Sequence, residues 1–351
     1  MNILSRLPVR TLHQCKCVSK FWNTLISDPY FKMKHFKRAK NDRNSQKFLI
    51  TLLCENESRF SSYCCPLSSS QMAEDAQKLV RPLSSKPLFR VVCACDGLVV
   101  VTVSDIMTDR HPMHLLWNPS IRESIVLPAS EFEAGEFTRY GFGYDSTSGD
   151  HKILRICDES NEILALKVGS WRKINKHPHG VYNAMTRTHS LAFVREAFHW
   201  IGSSRECGSR EYSLVSFSMS KEMYGEIPLP EEILSLVGIV FVGVSVLDGM
   251  LCVHAMNRLR GFKTHKLWAL KDHGVKESWS GLFTMEDPSI YRFIPKYRFA
   301  DGELLFSCVN LPSDEPVFRT SSGPFVSWPD AGYIGGVVYT ESLISPRSLI
   351  Y

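Results

Sequence analysis

The stretch Asp96-Gly97-Leu98-Val99-Val100-Val101 places a tight turn directly in front of an apolar, β-branched run. Asp-Gly suits a hairpin loop because both positions tolerate positive φ, and Leu98–Val101 then reads as a buried strand. The same arrangement recurs. Asp145–Gly149 precedes Lys152–Ile156, and Arg195-Glu196 lies within Leu191–Trp200. Asp248-Gly249 precedes Met250–Val253, and Asp301-Gly302 precedes Glu303–Phe306. The turns centre near 96, 147, 196, 248 and 301, at steps of 51, 49, 52 and 53.

A second series of strand–turn–strand units interleaves with the first: Leu115–Leu127, Ile163–Ile174, Leu214–Ile227, Lys266–Phe283 and Phe318–Trp328. Their centres step by 50, 51, 53 and 48. Two hairpins in about fifty residues give four strands per repeat, the period of a kelch-like β-propeller blade. A pair of β-sandwiches would not demand that period. Residues 47–351 number 305, which accommodates about six four-stranded blades, five of them clear. The sixth is expected to combine Lys47–Cys54 and Phe60–Cys64 with Tyr333–Ser345, because a ring hides its edges only when its ends meet. Pro66–Lys86, rich in Ser, Gln and Ala, reads as a long exposed loop.

Composition bounds the rest. Hydrophobic residues make up 44% and charged residues 22%, a globular balance that excludes global disorder. The longest apolar stretch, Leu236–Leu247, has twelve residues and is too short to span a bilayer. No continuous apolar run near the N-terminus resembles a secretory signal. The eleven Cys are an odd number, and Cys93, Cys95, Cys157, Cys252 and Cys308 sit inside apolar runs, where a reduced Cys acts as a small buried hydrophobe. A soluble chain of the cytoplasm and/or nucleus is expected, with no membrane attachment.

Charge divides the chain. Residues 1–40 hold nine Lys or Arg against Asp28 alone, a net +8, and the remainder carries −3. A basic head of this kind suits docking on an acidic protein, binding of nucleic acid, or a transit role. No nucleic-acid-binding motif accompanies it, and sparse Ser with an early Pro8 argues against transit. By periodicity residues 3–26 are helical. Ile3, Leu4 and Leu7 precede Pro8, which suits a first helical turn. Leu12, Cys15 and Val18 follow at three-residue spacing. Ser19 is a plausible N-cap for Phe21, Trp22, Leu25 and Ile26, and Asp28-Pro29 ends the run. Apolar stripes too short to fold alone imply a module completed by a partner.

The head, Ile3-Leu4-Ser5-Arg6-Leu7-Pro8-Val9, then Cys17-Val18-Ser19-Lys20-Phe21-Trp22, then Leu25-Ile26-Ser27-Asp28-Pro29-Tyr30-Phe31, closely resembles the F-box of plant F-box proteins. The resemblance implies a helical module over residues 1–40 that docks on a Skp-type adaptor. Through that adaptor it would reach a cullin and a RING subunit. It further implies that Leu4, Leu7, Pro8, Leu12, Val18, Ser19, Trp22 and Leu25 serve the adaptor contact. Family members usually carry Leu-Pro, an acidic residue and an apolar helix ahead of this stretch, whereas the chain begins at Met1 within that helix, so a reduced contact is expected. The body, residues 41–351, resembles the plant F-box-associated β-propeller domain. The resemblance rests on Leu116-Trp117-Asn118-Pro119, Tyr140-Gly141-Phe142-Gly143-Tyr144-Asp145, Gly169-Ser170-Trp171-Arg172, Phe217-Ser218-Met219, Gly225-Glu226-Ile227-Pro228-Leu229-Pro230 and Gly274-Val275-Lys276-Glu277-Ser278-Trp279.

Motifs of chemistry are weak. Cys15-Lys16-Cys17, Cys64-Cys65 and Cys93-Ala94-Cys95 lack the spacing of zinc sites. His111, His114, His177 and His179 could converge on a metal, but loop histidines explain them as well. Gly141-Phe142-Gly143 lies in a strand context and opens no helix, so it is no nucleotide cradle. Asp96, Asp248 and Asp301 recur with the blades, and turn chemistry accounts for them without a glycosidase-type pair. Trp117, Trp171, Trp200, Trp268 and Trp279 read as packing between blades, with Trp328 and Arg319 as possible rim contacts. The expectation is a non-catalytic substrate-recognition adaptor of a Skp–cullin–F-box ubiquitin ligase, with no cofactor and no metal, whose propeller holds an unknown target protein. The competing readings are a propeller hydrolase of glycosides or esters, and a target-binding propeller with a non-functional F-box.

Overall fold

The structure, a computed structural model, describes residues 3–54, 59–68, 75–83, 85, 88–105, 112–133, 138–157, 160–178, 190–206, 209–234, 239–259, 262–288, 290–310, 317–320, 323–326 and 331–350. Six four-stranded antiparallel sheets follow one another as the blades of a propeller. From the inside outward, blade 1 comprises Ala331–Thr340, Gln46–Cys54, Arg59–Pro66 and Gln77–Leu79. Blade 2 comprises Leu88–Cys95, Leu98–Ser104, Met113–Asn118 and Glu123–Val126, and blade 3 comprises Arg139–Asp145, Asp150–Ile156, Asn161–Ala165 and Ser170–Ile174. Blade 4 is Ala192–Val194, Ala197–Glu206, Ser209–Ser218 and Met223–Ile227. Blade 5 is Ile239–Leu247, Met250–Leu259, Phe262–Leu270 and Trp279–Glu286, and blade 6 is Ile290–Arg298, Leu304–Asn310, Val317–Arg319 and Gly323–Val326. Each innermost strand touches those of both neighbouring blades, and blade 6 meets blade 1, so the circle is closed.

Closure mixes the two ends of the chain. Ala331–Thr340 runs antiparallel to Gln46–Cys54, from Gln46 opposite Thr340 to Cys54 opposite Ala331, as the sequence reading expects. Two details differ from that reading. The paired strand ends at Thr340, and the fourth strand of blade 1 is Gln77–Leu79, inside the stretch expected to be loop. Three mostly exposed residues carry no alternation, so no pattern marks them as a strand.

The core is divided into wedges. One apolar cluster fills each junction between neighbouring blades, including the junction of blade 6 with blade 1, where Phe48, Ile50 and Leu52 meet Phe299, Leu305 and Val317. Successive strand residues point to opposite faces, and both faces of a blade are covered. Hence Leu49 packs toward blade 2 while Phe48 and Ile50 pack toward blade 6. In the same way Val99 and Val101 face blade 1, whereas Leu98 and Val100 face blade 3. This is why blade strands read as continuous apolar runs.

Polar bonds fasten the wedges. The indole of Trp171 donates to the Pro128 carbonyl, and that of Trp279 to the Pro228 carbonyl, each at 2.9 Å, so each ring ties its strand to the exit of the preceding blade. Lys152 Nζ lies 2.8 Å from Asp145 and 3.3 Å from the Met219 carbonyl of blade 4. Buried Arg155 bonds Glu162 at 2.6 Å and also donates to Ser130 Oγ and the carbonyls of Phe132 and Glu133, which holds the linker between blades 2 and 3.

Residues 4–39 form the head. A short 3-10 turn, Leu4–Arg6, precedes α1 (Val9–Lys16), α2 (Lys20–Ser27) and α3 (Pro29–Ala39). Ser19 caps α2 by accepting from the Trp22 amide at 3.2 Å. Asp28-Pro29, expected only to end the helical run, also begins α3. The Asp28 carboxylate accepts from the amides of Tyr30 and Phe31, and Pro29 takes the first helical position, where its missing N–H costs nothing. Val9, Leu12, Ile26 and Phe31 form the head's core together with Leu343, which the chain supplies after the last strand. Ile121, in the turn between the two outer strands of blade 2, packs against the same cluster.

One side chain makes three of the polar bonds that hold the segment carrying Leu343. Buried Asn118 donates from Nδ2 to the Ser342 carbonyl at 3.0 Å, Ser342 Oγ at 3.1 Å and the Ile344 carbonyl at 2.8 Å. Gly97 completes the seat. Its φ is +78°, and a Cβ there would collide with the Ser342 side chain and the Thr340 carbonyl. Asn118→Ala therefore leaves buried carbonyls without donors and is expected to lower stability by about 2–3 kcal/mol. Urea denaturation, with limited proteolysis of the head as a second readout, checks this. An unchanged midpoint and cleavage rate would contradict it.

The hairpin turns follow the expected chemistry with two exceptions, Asp301-Gly302, where Gly302 alone has positive φ in the five-residue loop between Arg298 and Leu304, and Arg195-Glu196. Asp96-Gly97 and Asp248-Gly249 have positive φ at both positions, as a primed two-residue turn requires. Arg195-Glu196 adopts the same geometry, at φ 50° and 61°, without a residue suited to it. Glu196→Gly is expected to raise unfolding stability by about 1 kcal/mol, since the left-handed strain removed exceeds the added chain entropy. A lowered urea midpoint would show that the turn is not strained.

Candidate functional site

Two features offer binding surface: the outward side of the head and the channel along the propeller axis. On the head, Leu12 is fully buried and Leu4, Leu7 and Trp22 are half-buried against the head's own core. These residues hold the module together from within. Pro8 and Ser19 are exposed, Leu25 is half-buried, and Val18 is 73% exposed. Phe21, on the apolar stripe of α2 but not among the residues that the resemblance assigns to the adaptor, is 71% exposed one helical turn before Leu25. Tyr30 and Met33, likewise outside that set, are exposed on α3. A one-residue step turns a side chain by about 100° around a helix, and of the two adjacent rings Trp22 is the one that faces Leu343's cluster. The exposed apolar groups stand among Lys20, Lys37 and Arg38, all exposed, so the surface is both apolar and cationic.

The channel is a cavity of about 870 Å³ bounded by the inner strands of all six blades and by Lys40, Asn41 and Arg43 below the head. Asp248 is the one carboxylate among its described lining residues, and it lies 3.5 Å from Arg298. The other two repeating turn acids are engaged elsewhere. Asp96 accepts from His151 at 3.1 Å across the junction of blades 2 and 3, and Asp301 pairs with Arg319 at 2.7 Å within blade 6. The three turn carboxylates therefore serve separate turns and ion pairs, without a shared pocket.

Cys95, Asp96 and His151 bring ligating atoms within 4.8 Å of one another. The Asp96–His151 hydrogen bond accounts for that closeness, and burial pushes the Cys95 thiol well above its ordinary pKa, which disfavours a thiolate ligand. His114 packs on Tyr140 and His177 on Tyr224, in different blades, while His111 and His179 lie outside the described residues. Buried imidazoles are held neutral: burial lowers His114 and His199 to about 4, and burial together with Lys296 and Arg292 lowers His254 to about 3. Burial raises Cys64 to about 11 and Cys65 and Cys252 to about 12, so these thiols stay protonated. Trp117, Trp200 and Trp268 are buried between blades, Trp171 and Trp279 are half-buried, and Trp328 lies outside the described residues. Arg319 is half-buried, held by Asp301 and Glu303 and set over the Phe299 ring at 4.2 Å.

Comparison with known proteins agrees with this architecture. The sequence model of the F-box domain matches residues 1–34, and that of the F-box associated beta propeller domain matches residues 41–311. An F-box/kelch-repeat protein of Arabidopsis thaliana is 27% identical, covering 99% of this chain and 94% of its own length. The F-box protein CPR1 of Arabidopsis thaliana is 26% identical over 82% of this chain and 72% of its own length. Among solved structures, TolB from Acinetobacter baumannii aligns with a TM-score of 0.46 at 12% identity, over 87% of this chain and 72% of its own, too remote to inform function. With a helical head joined to a closed six-bladed ring, and with the propeller match spanning most of its residues, the chain belongs to the F-box proteins that carry an F-box associated β-propeller domain.

Proposed function

We propose that this protein is the substrate-recognition subunit of a Skp–cullin–F-box ubiquitin ligase. The head docks on a Skp-type adaptor, which joins it to a cullin and a RING subunit, and the propeller holds the protein to be ubiquitinated. The observation that carries this reading is the outward side of the head. Val18 and Phe21 stay exposed on a module whose own core is already filled and seated on Leu343. Large exposed apolar groups on a folded helical module mark a partner site. Membership of the F-box family supplies the class of partner.

The protein takes no chemical step in this reading; ubiquitin passes to the target from other subunits. The lack of convergent carboxylates among the described channel residues supports this against a propeller hydrolase, as do the buried, protonated thiols. No described helix is long and apolar enough to cross a membrane, which accords with work in the cytoplasm or nucleus.

The test is a titration of a purified Skp-type adaptor against the native chain and against Phe21→Ala and Val18→Ala. An apolar anchor at an interface typically contributes about 2 kcal/mol, so each change is expected to weaken binding by more than tenfold without lowering the melting temperature. Trp22→Ala is expected to lower the melting temperature as well, because its ring packs in the head. Binding should weaken as salt rises, since the head's +8 charge speeds encounter with an acidic adaptor. A folded native chain that fails to bind any Skp-type adaptor would refute the ligase role and leave a target-binding propeller.

A further inference from the structure

We propose that the axial channel is a binding site for a small polyanion, a molecule bearing several phosphate or carboxylate groups. Its walls carry six cations, Lys40, Arg43, Arg90, Arg139, Arg292 and Lys296, against the single described carboxylate Asp248. Composition alone does not produce this excess, because residues 41–351 together carry −3. The positive charge is concentrated on the axis.

The placement is ordered. The inner strands of blades 2 to 6 run toward the turn into their second strand, and that of blade 1 ends on the same side with Thr340 opposite Gln46, so ladder pairs counted back from that end give an approximate height in the channel. On this scale Arg90 of blade 2 is fifth, Arg292 of blade 6 is sixth and Arg139 of blade 3 is seventh. The three arginines, from three blades, thus line the wall within two ladder positions of one another. Blade 1, between blades 6 and 2, contributes Gly336 and Gly335 at the fifth and sixth pairs. A Cβ built on Gly335 meets nothing within 4 Å. At Gly335 the wall therefore carries no side chain, whereas Gly336 leaves room for the Phe48 ring.

Arg90, Arg139, Arg292 and Lys296 each also interact with another group of the protein. Arg292 lies over the Phe241 ring at 5.2 Å. His254, whose ring faces Gly243 of the channel wall, is kept neutral by burial and by the charges of Lys296 and Arg292, consistent with a positive field on the axis. Guanidinium groups bind phosphate and carboxylate through paired N–H donors, more strongly in a cavity than in open water. About 870 Å³ is within the range of small-molecule sites and too confined for a folded partner. The inference does not depend on the ligase reading, because it concerns the purified chain and needs no adaptor.

The test is isothermal titration of the full chain with inositol hexakisphosphate, inorganic tripolyphosphate and citrate, and separately with a doubly phosphorylated peptide. At least one small polyanion is expected to bind with a stoichiometry of one and to lose affinity as salt rises. Arg90→Gln combined with Lys296→Gln should weaken binding at least tenfold. Gly335→Leu, which fills the channel and removes no charge, should do the same. A control with Lys32, Lys37 and Arg38 of the head all changed to Gln should bind like the native chain. Thermal denaturation of each variant confirms that it folds; if the double charge variant does not, Gly335→Leu decides. Failure of all three small polyanions to bind the native chain would overturn the proposal. So would binding only by the peptide, binding abolished by the head control, or binding unaffected by Gly335→Leu.

Discussion

The antiparallel pairing of Ala331–Thr340 with Gln46–Cys54 is the interaction on which the rest of the molecule depends. It gives blade 1 its inner strand, and without that strand the inner strands of blades 6 and 2 would have no neighbour between them. Two apolar wedges also rest on it. Phe48, Ile50 and Leu52 reach blade 6 only because their strand is held in register, and Leu49 reaches blade 2 for the same reason. An open ring would leave unpaired edges and expose both wedges to water. Burial distributed over junctions between blades leaves each junction modest, so the closing one has wide consequences.

Closure also places the head. After Thr340 the chain leaves the sheet, Asn118 fixes Ser342 and Ile344, and Leu343 is delivered into the core of the helical module. The first and last segments of the chain are thus joined twice, by a strand ladder and by a shared apolar cluster. In the proposed ligase role, this joint would keep a target on the propeller at a defined spacing from a ligase core on the head. The turn Asp96-Gly97 takes part in the same arrangement. Gly97 gives room to Ser342, and Asp96 reaches His151 of the next blade, so a turn legible as local chemistry also joins distant parts.

Much of this was legible in the sequence, and what was not has physical causes. The Asp-Gly turns announce themselves because positive φ restricts the residues that fit. Arg195-Glu196 breaks that rule, and only its place in the fifty-residue period marks it. Closure by the two ends followed from the need to hide edges, whereas Gln77–Leu79 was missed because three mostly exposed residues show no alternation. In the head, the cap at Ser19 was plain, but α3 was hidden behind Asp28-Pro29, a pair that stops one helix and starts the next. Which head residues face outward was not legible, because Leu343 lies more than three hundred residues from α2 and decides it. The channel cations were likewise invisible, being scattered over three blades and the link from the head, which only the ring brings to one axis.

Hydrogen exchange read by mass spectrometry tests the closed ring most directly. If closure is what holds the molecule together, amides of residues 331–340 should exchange as slowly as those of 46–54, both only through global unfolding. Rapid exchange in 331–340 while the inner strands of blades 2 to 6 stay protected would contradict the account, since the ring would then stand without the strand said to close it.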